Sequence, residues 1–237
     1  MSVAAVVPAA GRGVRLGPGP PKALRRIGGL PLLVHAVRAL ADAPSVSTVV
    51  VAAPVDDVTA VTDLLADLVF EAHIRVVAGG ASRQESVAHG LAVLDADVDV
   101  VLVHDAARAL VPVELVESVV AAVRSGQANV VPGLPVADTI RRVDSEGVVV
   151  ETVDRASLRA IQTPQGFTRA VLDAAHARAA AGELGDVPAT DDAGLVERCG
   201  HATHVVHGSE EAFKVTRPID LVLAEALLAQ RRAGEPS

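Results

Sequence analysis

Near the start of the chain the stretch AAGRGVRLGPGPPK, Ala9 to Lys22, places Gly11, Gly13, Gly17 and Gly19 beside three cations, Arg12, Arg15 and Lys22. Glycines let a backbone approach a ligand closely, and the interspersed prolines stiffen its path. Two familiar phosphate loops fail here. The triphosphatase loop needs Gly-Lys-Ser/Thr, but Lys22 stands between Pro21 and Ala23. The dinucleotide fingerprint needs a third glycine where Leu16 stands, and Gly17 comes one residue late. Two readings are left. One is a loop that wraps a triphosphate, with Arg15 and Lys22 stabilising charge on a transferring phosphoryl group; the other is a plain strand-to-helix turn.

Further along, GGASRQESVAHGL (Gly79 to Leu91) contains Ser82 and Glu85 at the spacing of a capping box, so a helix starts after the Gly-Gly turn. Capping leaves Arg83 and Ser86 unexplained in the first turn, where unpaired backbone N–H groups can meet an anion. HDAAR (His104 to Arg108) follows the apolar run VVLV. An aspartate at a strand's carboxyl end is placed to hold Mg²⁺ near a phosphate, or to cap a turn with no metal. A His-Asp pair also occurs in metal-dependent phosphohydrolases, whose further ligands have no counterpart at suitable spacing. FKVTRPIDL (Phe213 to Leu221) reads as a strand entering a last helix, with Lys214 an isolated cation that a phosphate would explain. HATHVVH is no zinc site: on a strand, His201 and His207 lie about 20 Å apart. In TDDA, Thr190 reads as an N-cap, with Asp191 and Asp192 favoured by the helix dipole.

The elements that must position these groups alternate. VAAVVP (Val3 to Pro8), STVVVAAP (Ser47 to Pro54), IRVVAGG (Ile74 to Gly80), DVVLVHD (Asp99 to Asp105) and NVVPG (Asn129 to Gly133) suit strands buried on both faces. Helical spacing links them, as in Leu32 to Leu40 and Val58 to Leu68. The expected fold is α/β: one Rossmann-like domain, residues 1–232, with a mostly parallel, mixed central sheet covered by helices on both faces. Ligands of such sheets bind beyond the strands' carboxyl ends, where each chemistry-bearing motif falls. After Pro135 the alternation breaks. Thr139 to Val153 reads as a β-hairpin, either an edge or an arm protruding from the domain. Helices near Thr168 to Ala181, from about Asp191, and from about Arg217 to Arg232 follow, with a strand near Thr203 to His207 and a loose tail over 233–237.

Composition narrows the partners. The 237 residues carry a formal charge of −8, and their aromatic residues are three phenylalanines, which disfavours nucleic acid. No apolar run is long enough for a membrane span and no leader pattern opens the sequence, so the expectation is a cytoplasmic protein without a membrane partner. The single cysteine, Cys199, forms no disulfide within the chain and reads as a small buried residue.

Taken in order, AAGRGVRLG followed by PK, GGASRQESVAHGL, HDAAR, ADT, TPQGF, TDDA and KVTRP resemble the 2-C-methyl-D-erythritol 4-phosphate cytidylyltransferases, of the nucleotide-diphospho-sugar-transferase fold, through nearly the whole chain. The resemblance implies transfer of a cytidylyl group from CTP to methylerythritol phosphate with Mg²⁺, by in-line attack of the substrate phosphate on the α-phosphorus. It implies Arg15 and Lys22 as catalytic cations. Ala10, Gly11, Gly13, Gly80, Arg83, Ser86, Asp105 and Ala106 would surround the nucleotide, with Asp105 near ribose and metal. Thr139, Arg155, Thr163, Thr190 and Lys214 would surround the erythritol phosphate. It further implies a homodimer whose hairpins, 136–156, are exchanged, so that Thr139 and Arg155 serve the partner's site. Ala109 and Ala212 depart from the family's usual Pro and Asn. The competing readings are a cytidylyltransferase for ribitol 5-phosphate or another polyol or sugar phosphate, and a nucleotide-binding module without turnover. An NAD-dependent oxidoreductase is disfavoured by the failed fingerprint.

Overall fold

The computed structural model describes residues 2–11, 16–17, 19–185 and 189–234. The first valine-rich run forms β1 (Ser2–Pro8). A single 3-10 turn, Lys22–Leu24, leads into the short hairpin β2 (Arg26–Ile27) and β3 (Leu30–Pro31). The expected alternation then follows: α1 (Leu32–Ala41), β4 (Thr48–Ala53), α2 (Val58–Ala66), β5 (His73–Ala78), α3 (Arg83–Ala92), β6 (Val98–Val103), α4 (Val113–Arg124) and β7 (Asn129–Pro135). After it come the hairpin β8 (Ile140–Val143) and β9 (Val149–Val153), then β10 (Arg159–Ile161), β11 (Gln165–Thr168), α5 (Arg169–Ala180), α6 (Asp192–Arg198), β12 (His204–His207) and α7 (Pro218–Gly234).

Strands β5, β4, β1 and β6 lie side by side and parallel. Continuous runs such as Val3 to Val7 are fully buried because both faces of this sheet are covered. Alternate residues divide between two cores. Val3, Ala5 and Val7 pack under α1 and α4, whereas Ala4 and Val6 pack with Leu172 of α5 and Leu195 of α6. Each fully buried valine contributes roughly 1.5–3 kcal/mol. β11 enters antiparallel between β6 and β7, and β10 continues antiparallel along β7. The sheet is therefore mixed, as expected, through two strands that the residue pattern did not mark.

A cis peptide joins Thr163 to Pro164 in the break between β10 and β11, and there Thr163 meets the end of β6. Its Oγ1 lies 3.1 Å from Nδ1 of His104, whose Nε2 lies 3.2 Å from the Arg108 carbonyl. His104 is wholly buried, and burial outweighs the neighbouring Asp105 charge, holding its imidazole down at about 4.

Hairpin β8–β9 forms its own two-stranded sheet. Its turn is closed by Asp144 Oδ1, which accepts from Glu146 N at 3.0 Å and Val148 N at 2.9 Å. Helix α7 ties distant segments together. Glu225 Oε1 accepts from Gly28 N at 2.8 Å, and Arg231 Nη2 donates to the Leu110 carbonyl at 2.7 Å. Leu221 and Leu228 pack against a third cluster that includes Ile27, Leu110 and Val215.

Four expectations are corrected. Phe213 to Thr216 form no strand; the segment is irregular and is held by Val215 N donating to the Ala107 carbonyl at 2.9 Å. Asp191, not Thr190, caps α6, accepting from Gly194 N at 2.9 Å, because the helix starts at Asp192 and places Asp191, with its extended backbone, at the capping position. Cys199 is half-buried instead of buried. The last helix continues through Gly234, past the expected end at Arg232, so Ala233 and Gly234 are not part of a tail. Residues 235–237 lie outside the described residues. No described helix is long and apolar enough to cross a membrane.

Two outcomes follow from this packing. A Cβ on Gly90 would lie 2.5 Å from Val6 Cγ1, so Gly90→Val is expected to cost about 1–3 kcal/mol and lower the urea midpoint; an unchanged midpoint would remove this account of the α3–β1 contact. For His104, the unfolded imidazole titrates near 6.5 and the folded one near 4, so the unfolded chain binds the extra proton between them. Stability should therefore fall by about 3 kcal/mol as pH drops through that window and level off below it. The difference between wild type and His104→Gln, measured by chemical denaturation across pH, isolates this contribution.

Candidate active site

Three strand ends converge on one cavity of about 280 Å³. Past β1, Ala9 N still bonds the Ala52 carbonyl at 2.8 Å, so the ladder runs to the edge of the opening loop. Pro8 to Gly11 line the cavity there. Past β5, Gly80 to Arg83 supply a second wall, and past β6, Asp105 to Ala107 supply a third. Lys22 from the 3-10 turn and Lys214 from the segment before α7 complete it. Each of these three walls begins at a strand's carboxyl end, where ligands of such sheets bind.

Ser82 caps α3, while the return bond from Glu85 falls one residue before the cap. Ser82 Oγ accepts from Glu85 N at 3.1 Å, while Glu85 Oε2 reaches back to Ala81 N at 2.7 Å. Ser86 is buried, and its hydroxyl bridges the Ser82 carbonyl at 2.9 Å and Gly80 N at 3.1 Å, fixing the Gly-Gly turn against the helix. A Cβ on Gly79 would lie 2.7 Å from Ala10 Cβ and 3.1 Å from the Ala53 carbonyl, so the turn can sit here only without a side chain. Gly79 was absent from the sequence-predicted site; its signal was the doubled glycine directly after a strand.

Charge is concentrated on Asp105. Lys214 Nζ donates to its Oδ2 at 2.6 Å, and Arg83 Nε donates to its Oδ1 at 3.2 Å. Burial disfavours the Asp105 carboxylate, but Arg83 and Lys214 together outweigh it and hold the carboxyl far below the usual range. Among the described residues no backbone N–H donates to its carboxylate, and its own backbone N donates to Thr163 Oγ1 at 3.0 Å. Arg83 also donates through Nη1 to Asp192 Oδ2 at 2.5 Å. Burial opposes the Arg83 charge, yet Asp192 and Asp105 outweigh it, so the guanidinium stays fully protonated. Arg108, one turn beyond Asp105, donates to the carbonyls of Ala212 at 2.7 Å and Ile161 at 3.2 Å. At the departure Ala212, the backbone carbonyl thus fastens the loop that carries Lys214.

Of the sequence-predicted residues, the structure brings together Ala10, Gly11, Lys22, Gly80, Arg83, Ser86, Asp105, Ala106 and Lys214 around the cavity, with Thr163 behind Asp105. Gly13 and Arg15 lie outside the described residues. Thr139 and Arg155 sit at the base of the hairpin, exposed, where an Arg155 nitrogen donates to the Ala137 carbonyl, and neither lines the cavity. Thr190 is exposed and does not line it either. Among the described residues no cluster of three or more His, Cys, Asp or Glu could hold a metal ion. Asp105 is the one carboxylate among the described lining residues. Each of its oxygens accepts from one cation and retains lone-pair capacity, which fits a Mg²⁺ ion taking its other ligands from phosphate and water. A cavity with lysines on two walls, an arginine and one fixed anion is suited to a polyphosphate.

Comparison with known proteins agrees with this arrangement. The sequence model of the 2-C-methyl-D-erythritol 4-phosphate cytidylyltransferase family matches residues 3–230. A protein of that name from Streptomyces avermitilis is 55% identical over 98% of this chain and 94% of its own length. The crystal structure of the cytidylyltransferase of the same name from Thermus thermophilus is 38% identical and superposes with a TM-score of 0.77, covering 97% of this chain and 100% of that one. A 4-diphosphocytidyl-2C-methyl-D-erythritol synthase from Anaerococcus prevotii superposes with a TM-score of 0.83 at 27% identity, over 96% and 98% of the two chains. With its motifs in order, its fold and its cavity accounted for, this chain belongs to the 2-C-methyl-D-erythritol 4-phosphate cytidylyltransferase family.

Proposed function

We propose that the chain transfers a cytidylyl group from CTP to 2-C-methyl-D-erythritol 4-phosphate, giving 4-diphosphocytidyl-2-C-methyl-D-erythritol and pyrophosphate in non-mevalonate isoprenoid precursor synthesis. The observation that carries this reading is the cavity itself: Lys22, Arg83 and Lys214 gathered beyond the ends of β1, β5 and β6 in a chain of this family. A phosphate oxygen of the methylerythritol substrate attacks the α-phosphorus in line, the bond to the bridging oxygen breaks, and pyrophosphate departs. Negative charge grows on the α-phosphate oxygens as this happens. Lys22, with Arg15, acts as the fixed positive partner of that charge, an interaction stronger in the transition state than in the ground state. Ala10, Gly11 and Gly80 offer close backbone approach to the nucleotide, and Arg83 and Ser86 hold it at the start of α3, where the helix dipole favours anions. Lys214 takes the phosphate of the second substrate. Asp105 would hold a Mg²⁺ ion beside the triphosphate, which would add charge neutralisation there.

The molecule acts as a homodimer in this proposal, each β8–β9 hairpin reaching the partner's cavity. Two features support it. Val143, Val148, Val149 and Val150 of the hairpin are 46–57% exposed, and Thr139 and Arg155 stand clear of their own chain's cavity. The reaction joins two water-soluble phosphorylated molecules, and we assign it to the cytoplasm.

Three measurements test the reading. Pyrophosphate release from CTP should be fast with methylerythritol phosphate and slow with ribitol 5-phosphate; the reverse preference would overturn the substrate assignment. Lys22→Ala should lower kcat by about 10²–10³-fold, the cost of removing one group aimed at developing charge. Mixing inactive Lys22→Ala with inactive Arg155→Ala protein should restore activity, because an exchanged dimer rebuilds one intact site per mixed pair; two dead proteins that stay dead would remove arm exchange.

A further inference from the structure

Arg83 has two carboxylate partners on different elements, Asp105 after β6 and Asp192 at the start of α6. Asp192 is 2% exposed and does not line the cavity, so its charge is not presented to a ligand. Its second oxygen is also engaged: His176 Nε2 of α5, 7% exposed, lies 2.9 Å from Oδ1. A buried aspartate held by both Arg83 and a buried histidine is a costly arrangement to bury for packing alone. The chain His176–Asp192–Arg83–Asp105–Lys214 runs from a helix behind the sheet to the middle of the cavity.

We infer that Asp192, braced by His176, is a positioning residue for Arg83, holding its guanidinium across the cavity for the nucleotide. The geometry carries this. With Nε on Asp105 and Nη1 on Asp192, the planar guanidinium is fixed by two carboxylates, and its buried Nη2 has no hydrogen-bond partner among the described residues. Without Asp192, both edges of the guanidinium would compete for Asp105, and Lys214 would lose its exclusive hold on Oδ2. Gln165 of β11 keeps the start of α6 in place from the other side, donating to Asp191 Oδ2 at 2.7 Å and accepting from Ala193 N at 3.1 Å. Asp192 is thereby set by β11 and α5 together.

This inference rests on the cavity being the CTP site, and the experiment separates the two. CTP binding with Mg²⁺ is measured by calorimetry, and steady-state kinetics by pyrophosphate release, for wild type, Asp192→Asn, His176→Ala and His176→Gln, with the folded fraction of each checked by denaturant titration. Asp192→Asn should weaken CTP binding about tenfold or more, the scale of one charge-assisted hydrogen bond. The rise in KM for CTP should outrun any fall in kcat and any change in KM for the polyol phosphate, the pattern of lost uniform binding. His176→Ala should move the same way by less, and His176→Gln, which keeps an N–H donor at that reach, should recover most of the loss. Wild-type protein that does not bind CTP would sink the functional reading. Wild type that binds CTP while Asp192→Asn binds it equally well, or variants whose parameters fall only with the folded fraction, would overturn the positioning role and leave the functional reading standing. Should Asp192→Asn fail to fold, the His176→Ala and His176→Gln pair decides alone: no KM difference between them overturns the inference.

Discussion

Asp105 is a nearly buried carboxylate between two cations, and the cavity exists in its present form because of that pairing. A lone charge at such depth would be expelled or neutralised, and Arg83 and Lys214 would repel each other across an empty middle. With the three together, α3, the end of β6 and the segment before α7 are drawn to one point. The backbone of Asp105 is fixed as firmly as its side chain, through Thr163 Oγ1, and Thr163 is fixed in turn by buried His104. Removing one member therefore costs more than one contact, since the others are left buried and unmatched.

Much of the fold was legible because a parallel sheet covered on both faces writes itself as repeated runs of valine. β1, β4, β5, β6 and β7 were each marked that way, and the capping residues of α3 announced its start. What escaped reading had weaker local signals. β10 and β11 are short, polar in part and interrupted at Thr163–Pro164, and they are strands only because β7 and β6 offer free edges. Phe213 to Val215 looked like a strand by composition but finds no edge, since Lys214 is pulled toward Asp105 instead. Asp191 displaced Thr190 as the cap of α6 because adjacent capping residues cannot be ranked without knowing where the backbone turns.

The site was legible as a set of motifs at strand ends, and illegible as a network. Nothing in the order of residues ties Arg83 to Asp192, 109 positions away, or Lys214 to Asp105, equally distant. Such pairs are products of topology: β11, inserted backwards between β6 and β7, is what brings α5 and α6 behind the cavity. The helix dipole accounted for Asp192 so adequately that its charge needed no other explanation until the fold was known.

The strap formed by α7 has a consequence for how the molecule is made. It fastens the β2–β3 turn, just after Lys22, to the segment after β6, and it closes the cluster around Ile27 and Val215. Those partners are translated first, in the middle and last. During synthesis the valine core of the sheet can assemble once α5 and α6 have emerged to cover its second face, but the turn that follows Lys22 has no α7 to rest on until the final helix leaves the ribosome. The enzyme's framework and its chemistry are thus separated in time on the polysome, and a prematurely terminated chain would keep much of the first while lacking the second.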